Sequence, residues 1–73
     1  MKKKDFLNEL KIVFEVSHLN TSDNLEKLGY DSLKILELLA LKETKFKKID
    51  IKPNDFSKCK KIHDLEKIFK IKD

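Results

Sequence analysis

Apolar residues recur along this chain at helical rather than strand spacing. Phe6, Leu7, Leu10, Val13 and Phe14 fall three and four apart with Lys and Glu between them, which predicts a helix over residues 4–17. "SHLNTSDN" comes next, and its Ser, Asn, Thr and Asp side chains compete for backbone hydrogen bonds and break helices. A long loop then runs to about Tyr30, with Leu19, Leu25 and Leu28 able to tuck beneath it. A loop this long in a small domain is more often functional than idle. A second helix is expected from about Ser32 to Lys45. Leu33, Leu36, Leu39 and Ala40 lie near one face, widened by Ile35, Leu38 and Phe46. Lys34, Glu37, Leu41, Thr44 and Lys45 lie opposite, so Leu41 is an apolar residue in a mostly polar stripe. Pro53 interrupts the irregular stretch after this helix, and Asn54 or Asp55 can cap a short turn through Phe56 to Cys59. Ile62, Leu65, Ile68 and Phe69 predict a final helix of two to three turns.

The length of 73 residues bounds this to one domain, residues 1–73. Apolar residues are 40% of the chain and charged residues 41%, too apolar for a disordered tail and polar enough for a soluble monomer. One Gly and one Pro leave little turn chemistry for a many-stranded β fold. The expectation is an all-α bundle of three main helices, one short helix and a long first loop. Cys59 is the single cysteine, so no intramolecular disulfide closes, and it is expected to fill the core beside Phe56 and Ile62. A cytoplasmic location is the default. The basic start "MKKKDFLNELKIVFEV" imitates a signal peptide, but Asp5, Asn8, Glu9 and Lys11 interrupt the apolar stretch one needs. No segment approaches membrane-spanning length. His18 and His63 lack partners at metal-ligand spacing, so no metal site is expected.

The net charge of +4 is unevenly spread. Residues 15–44 carry three lysines against six acids, whereas residues 45–73 carry ten lysines against five. The middle of a basic chain is therefore acidic. All 17 basic residues are lysine. Base readout and bidentate phosphate clamps favour arginine, which argues against a nucleic-acid partner.

"LGYDSLKILELL", Leu28–Leu39, sets a serine at the mouth of the second helix. Three readings of Ser32 compete. As an N-cap it would contribute about 1 kcal/mol, but Asp31 beside it can cap equally well. As a nucleophile it would need a base, an orienting group and oxyanion donors; a nucleophile elbow needs glycine on both sides, and Gly29 stands three positions away. As an attachment point it would place a phosphodiester at a helix N-terminus, where free N–H groups and the helix dipole favour an anion, and a separate enzyme would supply the base.

Leu28, Gly29, Asp31, Ser32 and Leu33, followed by Glu37 and Leu38, resemble the signature of the acyl carrier and peptidyl carrier protein family. The resemblance extends to Phe46, to Ile51 and Pro53, and to Ile62, Leu65 and Phe69, and so spans nearly the whole chain. It implies a four-helix acyl-carrier-protein-like bundle with no chemistry of its own. Ser32 would carry a covalent 4'-phosphopantetheine arm, with Asp31 and Leu33 as its neighbours, and the arm's thiol would hold acyl or aminoacyl cargo as a thioester. Glu37, Ala40, Leu41, Glu43 and Ile51 would lie with them on the face that partner enzymes touch. Those partners would be a phosphopantetheinyl transferase, a loading enzyme, and a downstream synthase or transferase. On this reading the apolar Leu41 is an anchor within a charged contact face.

The chain also departs from that family. Fatty-acid carriers are usually acidic overall, with an acid just after Asp-Ser-Leu and more at the end of the second helix. Here Lys34, Thr44 and Lys45 occupy those places. A stand-alone carrier of a specialised pathway is therefore favoured over housekeeping fatty-acid synthesis. The rivals are a small basic helical binding module using the C-terminal lysines, and a carrier-fold adaptor that is never modified.

Overall fold

The computed structural model describes residues 1–71. Four α-helices are arranged in order: α1 (Lys3–Phe14), α2 (Ser32–Lys45), α3 (Pro53–Ser57) and α4 (Ile62–Ile68). A single 3-10 turn, Glu26–Leu28, lies in the long loop between α1 and α2. There is no strand among the described residues; Asn24 and Lys61 form an isolated antiparallel bridge. This is the all-α carrier-type bundle expected from the spacing and the resemblance.

α1 stops earlier than its periodicity predicts. Glu15 adopts a left-handed backbone, φ +56°, and the N–H groups of Glu15 and Val16 turn back onto the carbonyls of Ile12 and Lys11. α3 begins with Pro53, whose missing N–H costs nothing in a first turn. Its third residue, Asp55, accepts a hydrogen bond from the Lys52 N–H at 2.9 Å. Asp64 repeats the device in α4, accepting from the N–H groups of Lys60 and Lys61 at 2.9 and 3.1 Å. Those two bonds hold the Asp64 carboxyl below its ordinary pKa.

The long loop is stitched to the start of α4. The Ile62 and His63 N–H groups, which have no acceptor within their own helix, donate to Asp23 and Thr21 carbonyls at 3.0 and 2.8 Å. The Leu25 N–H donates to the Lys60 carbonyl at 2.8 Å. The Thr21 hydroxyl donates to Glu66 Oε1 at 2.7 Å, giving this buried carboxylate a partner across 45 positions. The 3-10 turn closes on Gly29 at φ +78°, a conformation a residue with a Cβ adopts only under strain.

Four phenylalanines centre the core. Phe69 lies 5.0, 4.9 and 5.8 Å from the ring centres of Phe6, Phe46 and Phe56. Leu10, Leu25, Leu38, Ile62 and Leu65 complete its fully buried part. Cys59 is buried there as expected, its thiol 3.4 Å from the Asp55 carbonyl.

α2 faces the core differently from the sequence expectation. Leu38 and Leu41 point inward, with Ile35 and Leu39 half-buried beside them. Leu33 and Leu36, expected on the inner face, are 60% and 62% exposed, and Ala40 is exposed with them. Leu41 is only 9% exposed and Ile51 6%, so neither stands on the surface where the family resemblance put it. Apolar residues surround α2, and the pattern alone does not choose the buried side.

Candidate attachment site at the start of α2

Asp31 and Ser32 divide the work at the mouth of α2. Asp31 is the N-cap: its backbone is extended, Oδ1 accepts from the Lys34 N–H at 3.0 Å, and its carbonyl accepts from the Ile35 N–H at 3.0 Å. Ser32 is the first helical residue. It is exposed, and its hydroxyl makes no hydrogen bond among the described residues. The serine is therefore not consumed as a cap. It stands at the positive end of a 14-residue helix, a setting that stabilises a bound phosphodiester.

Tyr30 fixes the approach to this turn. Its hydroxyl donates to the Phe56 carbonyl at 2.6 Å, and its ring lies 6.3 Å from that of Phe14. It thus packs across the loop onto α3. Burial raises its hydroxyl pKa well above the ordinary tyrosine value.

Lys34 turns inward. Its ammonium donates to the Val13 carbonyl at 2.9 Å and lies 3.8 Å from Glu15 and 3.6 Å from Glu37, with the side chain 16% exposed. Val13 is in the last turn of α1, where carbonyls lack helical partners and a cation is favoured. At the far end of α2, Glu43 Oε1 lies 3.3 Å from the Lys42 ammonium, and Lys45 pairs with Glu9 of α1.

Of the residues marked in the sequence, Asp31, Ser32 and Leu33 share the top of α2, and Glu37, Ala40 and Glu43 are exposed further along it. Leu41 and Ile51 are drawn into the core instead. Leu36 went unrecognised as a surface residue. A signal was available: Leu36 and Ala40 lie four and eight positions after Ser32, so an outward serine carries both outward with it. His18 and His63 are exposed, and His63 Nδ1 lies 3.5 Å from Glu66 in α4.

A family model described as the phosphopantetheine attachment site matches residues 6–69. No curated protein and no solved structure matches the chain. The matched span runs from the first core phenylalanine, Phe6, to the last, Phe69, and takes in all four helix cores. In this family 4'-phosphopantetheine is bound covalently to a serine, and such domains are generally carriers rather than catalysts. An unengaged serine at a helix mouth, inside a bundle matched almost end to end, places this chain in the phosphopantetheine attachment-site family of acyl and peptidyl carrier proteins.

Proposed function

We propose that Ser32 is the attachment residue and that the protein is a stand-alone carrier of acyl or aminoacyl groups. The observation that supports this most directly is the cap geometry: Asp31 satisfies the α2 N-terminus and leaves the Ser32 hydroxyl unengaged. Attachment joins Ser32 Oγ to the pantetheine phosphate of coenzyme A. The phosphoanhydride bond breaks, adenosine 3',5'-bisphosphate leaves, and the serine proton passes to a base on the transferase. The terminal thiol of the bound arm then holds cargo as a thioester. Asp31 holds the turn that presents the serine, and Leu33 begins the surface a partner covers.

The departures at Lys34, Thr44 and Lys45, with the net charge of +4, favour a specialised pathway over housekeeping fatty-acid synthesis. The proposed partners are a phosphopantetheinyl transferase, a loading enzyme and a downstream synthase or transferase, met by a cytoplasmic monomer. No helix among the described residues is long and apolar enough to cross a membrane. The test is intact mass after incubation with coenzyme A and a permissive transferase, beside Ser32→Ala. A gain of one phosphopantetheine on the wild type alone is expected. A folded wild type that gains nothing from several transferases overturns the reading.

A second reading draws on the basic C-terminal third. Lys47, Lys48, Lys52, Lys58, Lys60 and Lys61 are exposed, while Asp55 and Asp64 are turned back to cap α3 and α4. A basic binding module would bind RNA or DNA in a salt-dependent way and be indifferent to Ser32→Ala. An unmodified carrier-fold adaptor would gain no phosphopantetheine and bind no nucleic acid.

A further inference from the structure

α1 turns one side to the core, through Phe6, Leu10 and Phe14. A second side meets α2, where Glu9 pairs with Lys45, and Asp5, one turn before Glu9, shares that side. Lys4, Leu7 and Lys11, at i, i+3 and i+7, mark a third side, with Asn8 among them. This side borders an open groove of about 430 Å³ that Leu19 of the first loop and Lys3 also line.

The groove has an apolar floor and a basic rim. Leu7 is half-buried and Leu19 buried, whereas Lys4 is exposed and Lys11 half-buried. No acid lines it, because both acids of α1 stand on the α2 side. Lys34, Lys42 and Lys45 each face a glutamate, but Lys4 and Lys11 form no ion pair among the described residues. The rim charge is therefore uncompensated within the protein, and a negatively charged occupant complements it.

The recessed floor takes a side chain inserted from outside, which a flat lipid surface does not supply. Lys4 and Lys11 stand two turns, about 10 Å, apart along α1. A helix lying along the groove offers carboxylates at the same spacing with an apolar residue between them. Lys34 at the start of α2 meets Val13, and Lys45 at its end meets Glu9, so the two helices run in opposite senses. The groove lies towards the start of α1, away from Ser32, and a segment seated there leaves the serine uncovered.

We propose that the Lys4–Leu7–Lys11 side of α1 is a docking surface for an acidic amphipathic helix of a partner protein. It holds the partner while the start of α2 stays open, and it stands apart from attachment at Ser32.

The test uses two lactam-bridged helical peptides of about 15 residues, the bridge holding a helix too short to persist alone. One carries Glu-x-x-Leu-x-x-x-Glu and the other the reverse spacing, to cover both helix directions. Each is titrated into the 15N-labelled full chain. Saturable amide shifts at Leu7, Asn8, Lys11 and Leu19 are expected, with a Kd of about 100 μM for the better peptide. Lys4→Glu/Lys11→Glu, or Leu→Ala in the peptide, is expected to weaken binding about tenfold or more. Lys27→Glu/Lys58→Glu makes the same change in net charge elsewhere and is expected to weaken it less than about threefold. All four lysines lie outside the core, and circular dichroism melts verify folding. Absence of saturable shifts from both peptides overturns the proposal, as does equal weakening by the two double variants. Sedimentation with phosphatidylglycerol-containing vesicles, lost in Lys4→Glu/Lys11→Glu and without peptide binding, overturns it in favour of a membrane.

Discussion

The Lys34 ammonium donates to the Val13 carbonyl at 2.9 Å and so joins the first turn of α2 to the last turn of α1 across 21 positions. Glu15 and Glu37 flank the same ammonium. A residue that reads in sequence as a charge offered to partners is instead a strut between helices. Lys34→Met keeps the buried stem and removes the donor. It is expected to cost about 1–2 kcal/mol, a thermal shift of roughly 5–10 °C in a domain this size. Lys34→Glu sets a third carboxylate beside Glu15 and Glu37 and lowers the melting temperature further. A Lys34→Met melt that overlays wild type would show that the ammonium contributes nothing.

Asp31 and Ser32 are expected to separate stability from the proposed modification. Asp31→Ala removes the cap and is expected to lose about 1 kcal/mol in a urea titration. Ser32→Ala removes an exposed hydroxyl without a partner and is expected to stay within about 0.5 kcal/mol of wild type, while losing the phosphopantetheine mass gain. The reverse pattern would make Ser32 the cap.

Phe69→Ala is expected to leave the bundle unfolded or nearly so. The ring touches three others, and truncating a buried phenylalanine costs about 3–5 kcal/mol. A chain of this length holds a total of only about 4–11 kcal/mol. Melting temperature and amide dispersion report the loss; a cooperative melt near that of wild type contradicts it.

The protein is expected to lose stability on the alkaline side. Burial pushes the Cys59 thiol up to about 11 from an ordinary value of 9.0, with Asp64 and Asp55 adding to the shift, and burial raises Tyr30 as well. Both groups are neutral when protonated, and folding favours that form. Above pH 9 the unfolded chain ionises Cys59 while the folded chain keeps its proton. Stability is therefore whole below that pH and falls as pH rises towards 11. Urea midpoints across this range measure it, and Cys59→Ala should flatten the slope. A midpoint independent of pH from 8 to about 11 would contradict the assignment.

Much of the fold is legible in the sequence because it is local. The Asp-Ser pair before an apolar run fixes where α2 begins, and the structure starts it at Ser32. α3 begins earlier than the sequence suggests: Pro53 is its first residue, and Asp55, expected as a cap, lies inside the first turn. The early end of α1 is less legible. It depends on a left-handed Glu15, a conformation that composition does not advertise outside glycine and asparagine. The stitching of the first loop to α4 joins Thr21, Asp23 and Leu25 to residues some forty positions away, beyond any window of periodicity.

The amino-acid sequence by itself determined the helical class, the limits of α2, and the placing of a serine beside an aspartate that can cap equally well, since each arises from interactions within a turn or two of chain. Only the tertiary structure decided which side of α2 is buried. Leu33, Ile35, Leu36, Leu38, Leu39 and Leu41 surround that helix, so every rotation about its axis would bury some and expose others. Packing against the phenylalanine core drew in Leu38 and Leu41, while Lys34 reached the end of α1. That rotation left Leu33 and Leu36 exposed along α2 beside Ser32.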